Sequence, residues 1–101
     1  MVSPYKVVSP TDSLSEITVL FDGTKITQDN FYSVAYFKWN GHPTLGIRWN
    51  GEGEGSKGHP ISTFHSSWFV LPDDMHAGVI AGIMKYDLEE GALNKIKEIL
   101  N

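Results

Sequence analysis

The pattern of apolar and polar positions changes its period near residue 72, and this change divides the chain into a strand-rich part and a helical part. Before it, short runs rich in aromatic and β-branched residues alternate between two faces, as half-buried strands do. The predicted strands and extended segments span residues 5–8, 16–21, 24–27, 31–39, 44–49, 61–67 and 68–71. After it, apolar residues recur every three or four positions, which predicts two amphipathic helices.

The clearest strand pair joins residues 31–39 to residues 44–49 through Asn40-Gly41, the preferred two-residue hairpin turn. Such a turn sets Tyr36 opposite Leu45 and Tyr32 opposite Trp49, and these residues then share one apolar face with Val34 and Ile47. The other face is mixed, and it is either partly exposed or covered by a helix; its members are Phe31, Ala35, Phe37, Trp39, Gly46 and Arg48. A four-residue loop over residues 40–43 is an alternative that would exchange the two faces.

Three further segments carry local signals. Asp22-Gly23 is a turn signal that predicts a hairpin with residues 24–27 as the return strand. The glycine-rich residues 50–58 predict a mobile, solvated loop. Residues 68–71 are apolar on both faces, which suits an interior strand that Pro72 ends.

Two helices are predicted in residues 73–101. Asp73 or Asp74 is a natural N-cap for the first, and residues 87–90 have capping-box spacing at the start of the second. Apolar stripes follow, at Met75, Val79, Ile80, Ile83 and Met84, and then at Leu88, Ala92, Leu93, Ile96, Ile99 and Leu100. Strands followed by helices are typical of an α+β fold. We therefore predict one domain over residues 1–101, in which an antiparallel sheet of about four to six strands is packed by two C-terminal helices.

Charge and composition limit the function classes. The chain has 8 Lys and Arg against 12 Asp and Glu, a net charge of −4, and it has no basic run to neutralise a row of phosphates. Nucleic-acid binding is therefore disfavoured, although not excluded. The absence of Cys removes disulfides and thiolate chemistry. No apolar run reaches the ~20 residues of a membrane span, and no signal-peptide pattern is visible, so we expect a cytoplasmic protein without membrane contact.

No catalytic constellation emerges from the motifs. Residues 53–58 match GxGxxG, but an extended segment follows instead of the helix that binds a dinucleotide, so no cofactor is predicted. The four His residues, 42, 59, 65 and 76, lack the spacing that sets two imidazoles on one metal ion. We therefore predict no metal site and no catalytic residue, and the balance is against an enzyme.

Five residues are candidates for binding. Phe37 and Trp39 lie on the mixed hairpin face beside Arg48, the only Arg in the chain, and aromatic residues and Arg are enriched in interface cores. His59 and His65 flank the glycine-rich loop and its following segment, where they would serve a small-molecule binder or a small enzyme.

Three segments carry a resemblance to known proteins. They are Tyr32-Ser33-Val34-Ala35-Tyr36, Leu45-Gly46-Ile47-Arg48-Trp49-Asn50-Gly51 and Trp68-Phe69-Val70-Leu71-Pro72. This pattern of WNG followed by WFVLP resembles a group of small uncharacterised bacterial proteins carried on mobile elements, such as integron gene cassettes and prophages. The resemblance extends over residues 32–72 and implies a compact accessory bacterial protein. No activity is attached to these motifs, so the resemblance implies no catalytic residue.

The sequence thus favours a non-catalytic binding or regulatory module that acts through protein–protein contacts, with another protein or as a homodimer. Two alternatives remain open. One is binding of single-stranded nucleic acid on the aromatic sheet face. The other is a small enzyme or small-molecule binder near His59 and His65.

Overall fold

The computed structural model describes residues 1–27 and 30–101 and confirms the predicted α+β class. The strands are β1 (Leu14–Phe21), β2 (Tyr32–Trp39), β3 (His42–Trp49), β4 (Ile61–Ser62), β5 (His65–Ser66) and β6 (Phe69–Val70). The helices are α1 (His76–Ile83) and α2 (Ala92–Leu100), and short 3-10 helices occupy Pro4–Lys6, Gly23–Lys25 and Asp73–Met75. One antiparallel sheet has the strand order β1-β2-β3-β6, and β4 and β5 form a separate two-stranded sheet.

The β2–β3 hairpin has the register that the two-residue turn predicts. Trp39 pairs with His42, and Tyr32 pairs with Trp49. Asn40 and Gly41 both adopt left-handed φ angles, of 50° and 83°. These are the angles of a type I′ turn, whose twist matches that of the strands it joins. The alternative of a four-residue loop is therefore wrong.

The two helices cover one face of the four-stranded sheet. This face is the one predicted to be apolar, and its buried core contains Leu20, Phe21, Val34, Tyr36, Leu45, Leu71, Ile80, Ile83, Ala92 and Ile96. Tyr86, which precedes α2, stacks on Phe21 with ring centroids 4.7 Å apart. At the far end of the same face, Tyr32 and Ile47 are only partly buried. The helices therefore leave this end of the face partly uncovered.

The mixed face is also buried, but no helix covers it within the described residues. Its core consists of Val7, Leu14, Ala35, Phe37 and Trp68, so the N-terminal segment and the residue before β6 supply the cover. The indole N–H of Trp68 donates to the Val7 carbonyl at 2.8 Å. The prediction that Phe31 belongs to this face is wrong, because Phe31 lies before β2 and packs against Phe21 on the helix side.

Two predicted strands are instead short 3-10 helices. Residues 24–27 do not return along β1, because the Asp22 side chain accepts from the Thr24 N–H at 3.0 Å and caps a turn over Gly23–Lys25. Gly23 also donates to the Ser33 hydroxyl at 3.0 Å, which holds this turn against β2. Residues 5–8 were likewise predicted as a strand, and Pro4–Lys6 forms the first 3-10 helix.

The segment from residue 61 to residue 71 departs from its predicted form in two ways. Residues 61–67 fold back as the β4–β5 hairpin. The predicted interior strand, residues 68–71, shortens to β6, which is at the end of the sheet order and pairs with β3 alone. Trp68 and Leu71 are buried, whereas Phe69 is 57% exposed.

Both helices begin later in the chain than their predicted N-caps indicate. A 3-10 turn over Asp73–Met75 precedes α1, and α2 begins at Ala92 after Gly91, whose φ angle is 81°. Met75 and Met84, assigned to the apolar stripe of the first helix, are half exposed.

Candidate functional site

The structure places the five candidate residues in different environments. Phe37 has no exposed surface and packs 6.3 Å from the Trp68 ring, and Trp39 is half-buried against the same core. The Arg48 side chain is buried as well. His59 and His65 are exposed, but they lie on different elements, His59 beside Trp49 and His65 in β5. The patch expected around Phe37, Trp39 and Arg48 is therefore part of the interior.

Arg48 is a tether for the chain that follows β3. Its side chain is 2% exposed, and its guanidinium donates to the main-chain carbonyls of Ser67 and Lys57. Within residues 1–27 and 30–101 it forms no ion pair, and its Nε has no hydrogen-bond partner. Burial lowers the pKa of Arg48 to about 10, so the group remains charged at neutral pH. It joins the glycine-rich loop to the segment before β6.

Two exposed aromatic residues, Trp49 and Phe69, lie on the face of the sheet that the helices cover, at the end beyond the helices. His59 pairs with Trp49 through two main-chain hydrogen bonds, of 2.8 Å and 3.0 Å. Because paired residues in an antiparallel sheet share a face, Tyr32, Trp49 and His59 form a row across three adjacent segments. Phe69, paired with Ile47, forms the neighbouring row.

These rows enclose a concavity of about 400 Å³, which we call the aromatic groove. Its lining residues are Tyr32, Ile47, Arg48, Trp49, His59, Pro60 and Phe69. Trp49 is 50% exposed and Phe69 is 57% exposed, although large aromatic residues are usually mostly buried. The Tyr32 and Trp49 rings stand 6.4 Å apart with their planes at 84°, so they form an angled wall.

The polar groups that the groove side chains present are few. In the part of the chain that the structure describes, neither the Tyr32 hydroxyl nor the Trp49 indole N–H makes a hydrogen bond. Burial raises the pKa of Tyr32, and its neutral hydroxyl can both donate and accept a hydrogen bond. The main-chain carbonyls of Trp49 and His59 accept from each other's N–H groups, and that of Pro60 accepts from Ser67 N–H at 3.1 Å. The lining of the groove is therefore mainly apolar, and its main-chain carbonyls already take part in hydrogen bonds within the fold.

A buried hydrogen-bond network supports this wall. The Ser33 hydroxyl donates to Asn50 Oδ1 at 3.0 Å, and Asn50 Nδ2 donates to the Phe31 carbonyl at 2.8 Å. Both Ser33 and Asn50 are fully buried. Because Asn50 follows Trp49 directly, these bonds hold the ring of Trp49 on a rigid strand end.

The sequence contained part of the signal for this site. The two-residue turn predicts the pairing of Tyr32 with Trp49, but the apolar pattern of that face indicates core. Only the placement of the helices shows that the row ends beyond their cover. His59 is a sequence candidate because of its imidazole. In the structure, a main-chain bridge to Trp49 positions it at the groove, and such a bridge has no sequence signature.

The geometry of the described residues offers little for a metal site or for a membrane-spanning helix. No group of three His, Asp or Glu side chains that could hold a metal ion occurs among residues 1–27 and 30–101. The nearest arrangement sets Asp73 3.5 Å from His42 and 3.9 Å from His76, and the Nε2 atom of His76 accepts from the Leu45 N–H at 3.4 Å. In the same described residues, no helix has the length and apolar character needed to cross a bilayer.

Comparison of the chain with protein-family models, with curated proteins and with solved structures found no match. The geometry of the aromatic groove is therefore the basis on which we infer a function.

Proposed function

We propose that this protein is a non-catalytic binding module that holds a protein partner in the aromatic groove. The observation that carries the proposal is the half-exposed pair Trp49 and Phe69 in a concave, apolar site on a rigid sheet. Aromatic side chains in such pockets supply most of the binding energy at protein interfaces. Their exposure in the free protein also needs an explanation, because it costs the free energy that burial would release.

Electrostatics favour a protein partner over nucleic acid. The glycine-rich loop leaves the sheet at Trp49 and returns at His59, and it carries the exposed carboxylates of Glu52 and Glu54. These carboxylates contribute to a net charge of −4 for the whole chain, which repels phosphates. Stacking on aromatic rings alone does not offset this repulsion, because single-stranded nucleic acid is normally bound along a positively charged groove.

A small apolar molecule is the second candidate. The groove volume of about 400 Å³ falls within the range of ~300–1,000 Å³ that is usual for ligand pockets. The expected cytoplasmic location and accessory role also remain part of the proposal. They rest on the sequence and on the resemblance over residues 32–72.

Selection from a random peptide library displayed on phage tests the proposal. Peptides selected on the wild-type protein should lose binding to W49A and to F69A. Phe64→Ala is the matched control, because Phe64 is 82% exposed in the β4–β5 turn and lies outside the groove. Peptides that bind F69A as well as F64A, or a library that yields no binder, would contradict the proposal. A parallel titration with a neutral apolar dye, with the same three variants, tests the second candidate.

A further inference from the structure

We propose that Asn40 is a site of spontaneous deamidation, at which the exposed turn between β2 and β3 acquires aspartate or isoaspartate as the protein ages. The inference does not depend on the proposed function, because neither residue of this turn lines the aromatic groove. It rests on a comparison of two Asn-Gly pairs, Asn40-Gly41 and Asn50-Gly51, which the fold places in opposite environments.

The reaction requires only the asparagine, the next main-chain nitrogen and water. The nitrogen of Gly41 loses its proton to the solvent and attacks Cγ of Asn40, so a C–N bond forms and closes a succinimide ring. The Cγ–Nδ2 bond then breaks, and Nδ2 takes up a proton from the solvent and leaves as ammonia. Water opens the ring at either of its two carbonyls, which gives aspartate or isoaspartate. Glycine favours the attack, since it has no side chain to hinder it and leaves the main chain free to rotate.

The Asn40-Gly41 pair is open to this reaction. Both residues are exposed, and a Cβ atom on Gly41 would meet no atom within 4 Å apart from its chain neighbours. Within residues 1–27 and 30–101, neither the Asn40 side-chain amide nor the Gly41 N–H makes a hydrogen bond. The Asn40 N–H donates to the Ser13 carbonyl at 2.7 Å, but this bond leaves both reacting groups free. Ring closure requires the main chain to rotate out of the turn, and local opening of an exposed turn costs less than unfolding of the core.

The Asn50-Gly51 pair is closed to the same reaction. Asn50 is fully buried, and its side-chain amide accepts from the Ser33 hydroxyl at 3.0 Å and donates to the Phe31 carbonyl at 2.8 Å. The attacking nitrogen is engaged as well, because the Gly51 N–H donates to Asn30 Oδ1 at 2.7 Å. Deamidation of Asn50 therefore requires the loss of all these contacts.

The local sequence does not distinguish the two sites. A tryptophan precedes each pair, so the tripeptide Trp-Asn-Gly occurs at residues 39–41 and again at residues 49–51. A difference in rate that is present in the folded protein and absent from the unfolded chain therefore measures the protection that the fold provides.

The two products have different consequences for the hairpin. Aspartate keeps the turn, since Asp-Gly also favours the left-handed φ angle that Asn40 adopts. Isoaspartate routes the main chain through the side chain and adds a methylene group to it. The two-residue turn that pairs Trp39 with His42 does not accommodate this longer link, so isoaspartate should loosen the register of β2 and β3.

The test is timed incubation of the full chain at mildly alkaline pH, followed by tryptic digestion and mass spectrometry. Cleavage after Lys38, Arg48 and Lys57 separates the two sites into residues 39–48 and 49–57. We expect Asn40 to deamidate at least about tenfold faster than Asn50 in the folded protein. In urea that unfolds the chain, the two rates should be nearly equal. Isoaspartyl methyltransferase with a labelled methyl donor should label residues 39–48 of the aged folded protein.

Two variants serve as controls. N40D keeps a residue that favours the turn but has no side-chain amide, so the folded variant should release ammonia only at the background rate. S33A removes the hydroxyl that binds Asn50 Oδ1, so it should raise the rate at Asn50 without changing the rate at Asn40. Circular dichroism establishes that each variant is folded, and the comparison of folded with unfolded wild type decides the question if S33A is not.

Three results would overturn the proposal. Equal rates at Asn40 and Asn50 in the folded wild type would show that the fold does not select between them. Reaction of Asn40 in urea but not in the folded protein would show that the turn itself protects the residue. Absence of reaction at both sites in urea would show that Trp-Asn-Gly is inert in this chain. None of these results bears on the aromatic groove, so the proposed function is tested separately.

Discussion

The hydroxyl group of Tyr5 donates a hydrogen bond to the carboxylate of Glu89, and this contact joins the N-terminal 3-10 helix to the segment before α2. The same carboxylate accepts from Lys25 Nζ at 2.8 Å and 3.0 Å. The Glu89 main-chain N–H donates to Leu20 in β1 at 2.9 Å. One side chain, only 7% exposed, thus connects three parts of the chain that are distant in sequence.

The first prediction concerns alkaline pH. Burial, together with the hydrogen bond to Glu89, raises the pKa of Tyr5 to about 12. Because the folded pKa lies above the ordinary value, this group stabilises the fold below about pH 10 and ceases to do so as the pH rises towards 12. Absorbance at 295 nm should reveal one tyrosine that titrates near pH 12 in the wild type. This titration step should be absent from Y5F. In E89Q this tyrosine should titrate closer to 10, and an unchanged titration would contradict the contact.

The second prediction concerns acidic pH. Burial alone would raise the pKa of Glu89, but the hydrogen bonds from Lys25 and Tyr5 outweigh burial and hold it below its ordinary value. The stabilisation is therefore present above the unfolded pKa and lost as the pH falls through the folded pKa. Urea unfolding at several pH values between about 3 and 7 should show that the free energy of unfolding falls less steeply with acid in E89Q than in the wild type. E90Q makes the same change at an exposed neighbour, so an equal effect of E90Q would contradict the prediction.

The third prediction concerns the Arg48 tether. R48K keeps the charge, but an ammonium group cannot reproduce the forked contacts to the carbonyls of Ser67 and Lys57. We expect a loss of about 2 kcal/mol in the free energy of unfolding, because the buried Ser67 carbonyl loses its donor, whereas the Lys57 carbonyl keeps the Ser66 hydroxyl at 2.8 Å. Trypsin should also cut after Lys57 faster in R48K than in the wild type. Equal cutting rates and equal stability would show that the tether does not hold the loop.

The fourth prediction compares two glycines in the same loop. Gly58 and Gly55 both have left-handed φ angles, of 66° and 79°. A Cβ atom on Gly58 would overlap the Trp49 carbonyl oxygen and lie 2.5 Å from Arg48 Nη2, whereas a Cβ on Gly55 meets nothing within 4 Å. G55A should cost about 1 kcal/mol for the backbone alone, and G58A at least about 2 kcal/mol more. Chemical denaturation measures both, and similar costs would argue against the close approach at Gly58.

The fifth prediction concerns the β4–β5 turn. Thr63 and Phe64 have φ angles of 49° and 67°, so both central positions are left-handed, as in the Asn40-Gly41 turn. A β-branched and an aromatic residue are strained there, whereas Asn-Gly is the preferred pair. The double substitution T63N/F64G should raise the free energy of unfolding by about 1–2 kcal/mol, seen as a higher melting temperature. Failure to stabilise would mean that Thr63 and Phe64 carry no strain.

The parts of the fold that the sequence predicted depend on local chemistry. Asn40-Gly41 determines its own turn type, and the turn determines the register of β2 and β3. The errors arose where a distant group competes with a local signal. Asp22-Gly23 has the residues of a hairpin turn, but the Ser33 hydroxyl binds the Gly23 N–H and holds a 3-10 turn instead. Residues 68–71 have the composition of an interior strand, but within the described residues β6 has one neighbour.

By itself, the sequence determined the α+β class, the order of strands before helices and the apolar face of the central hairpin, because period and turn chemistry are local properties of the chain. Only the tertiary structure decided which aromatic residues are available to a partner. Phe37 and Phe69 both lie in aromatic strands, yet one has no exposed surface and the other is 57% exposed. The difference depends on where the helices end above the sheet and where the N-terminal segment lies beneath it. Those are relationships between distant segments, and packing free energy determines them rather than the sequence within each strand.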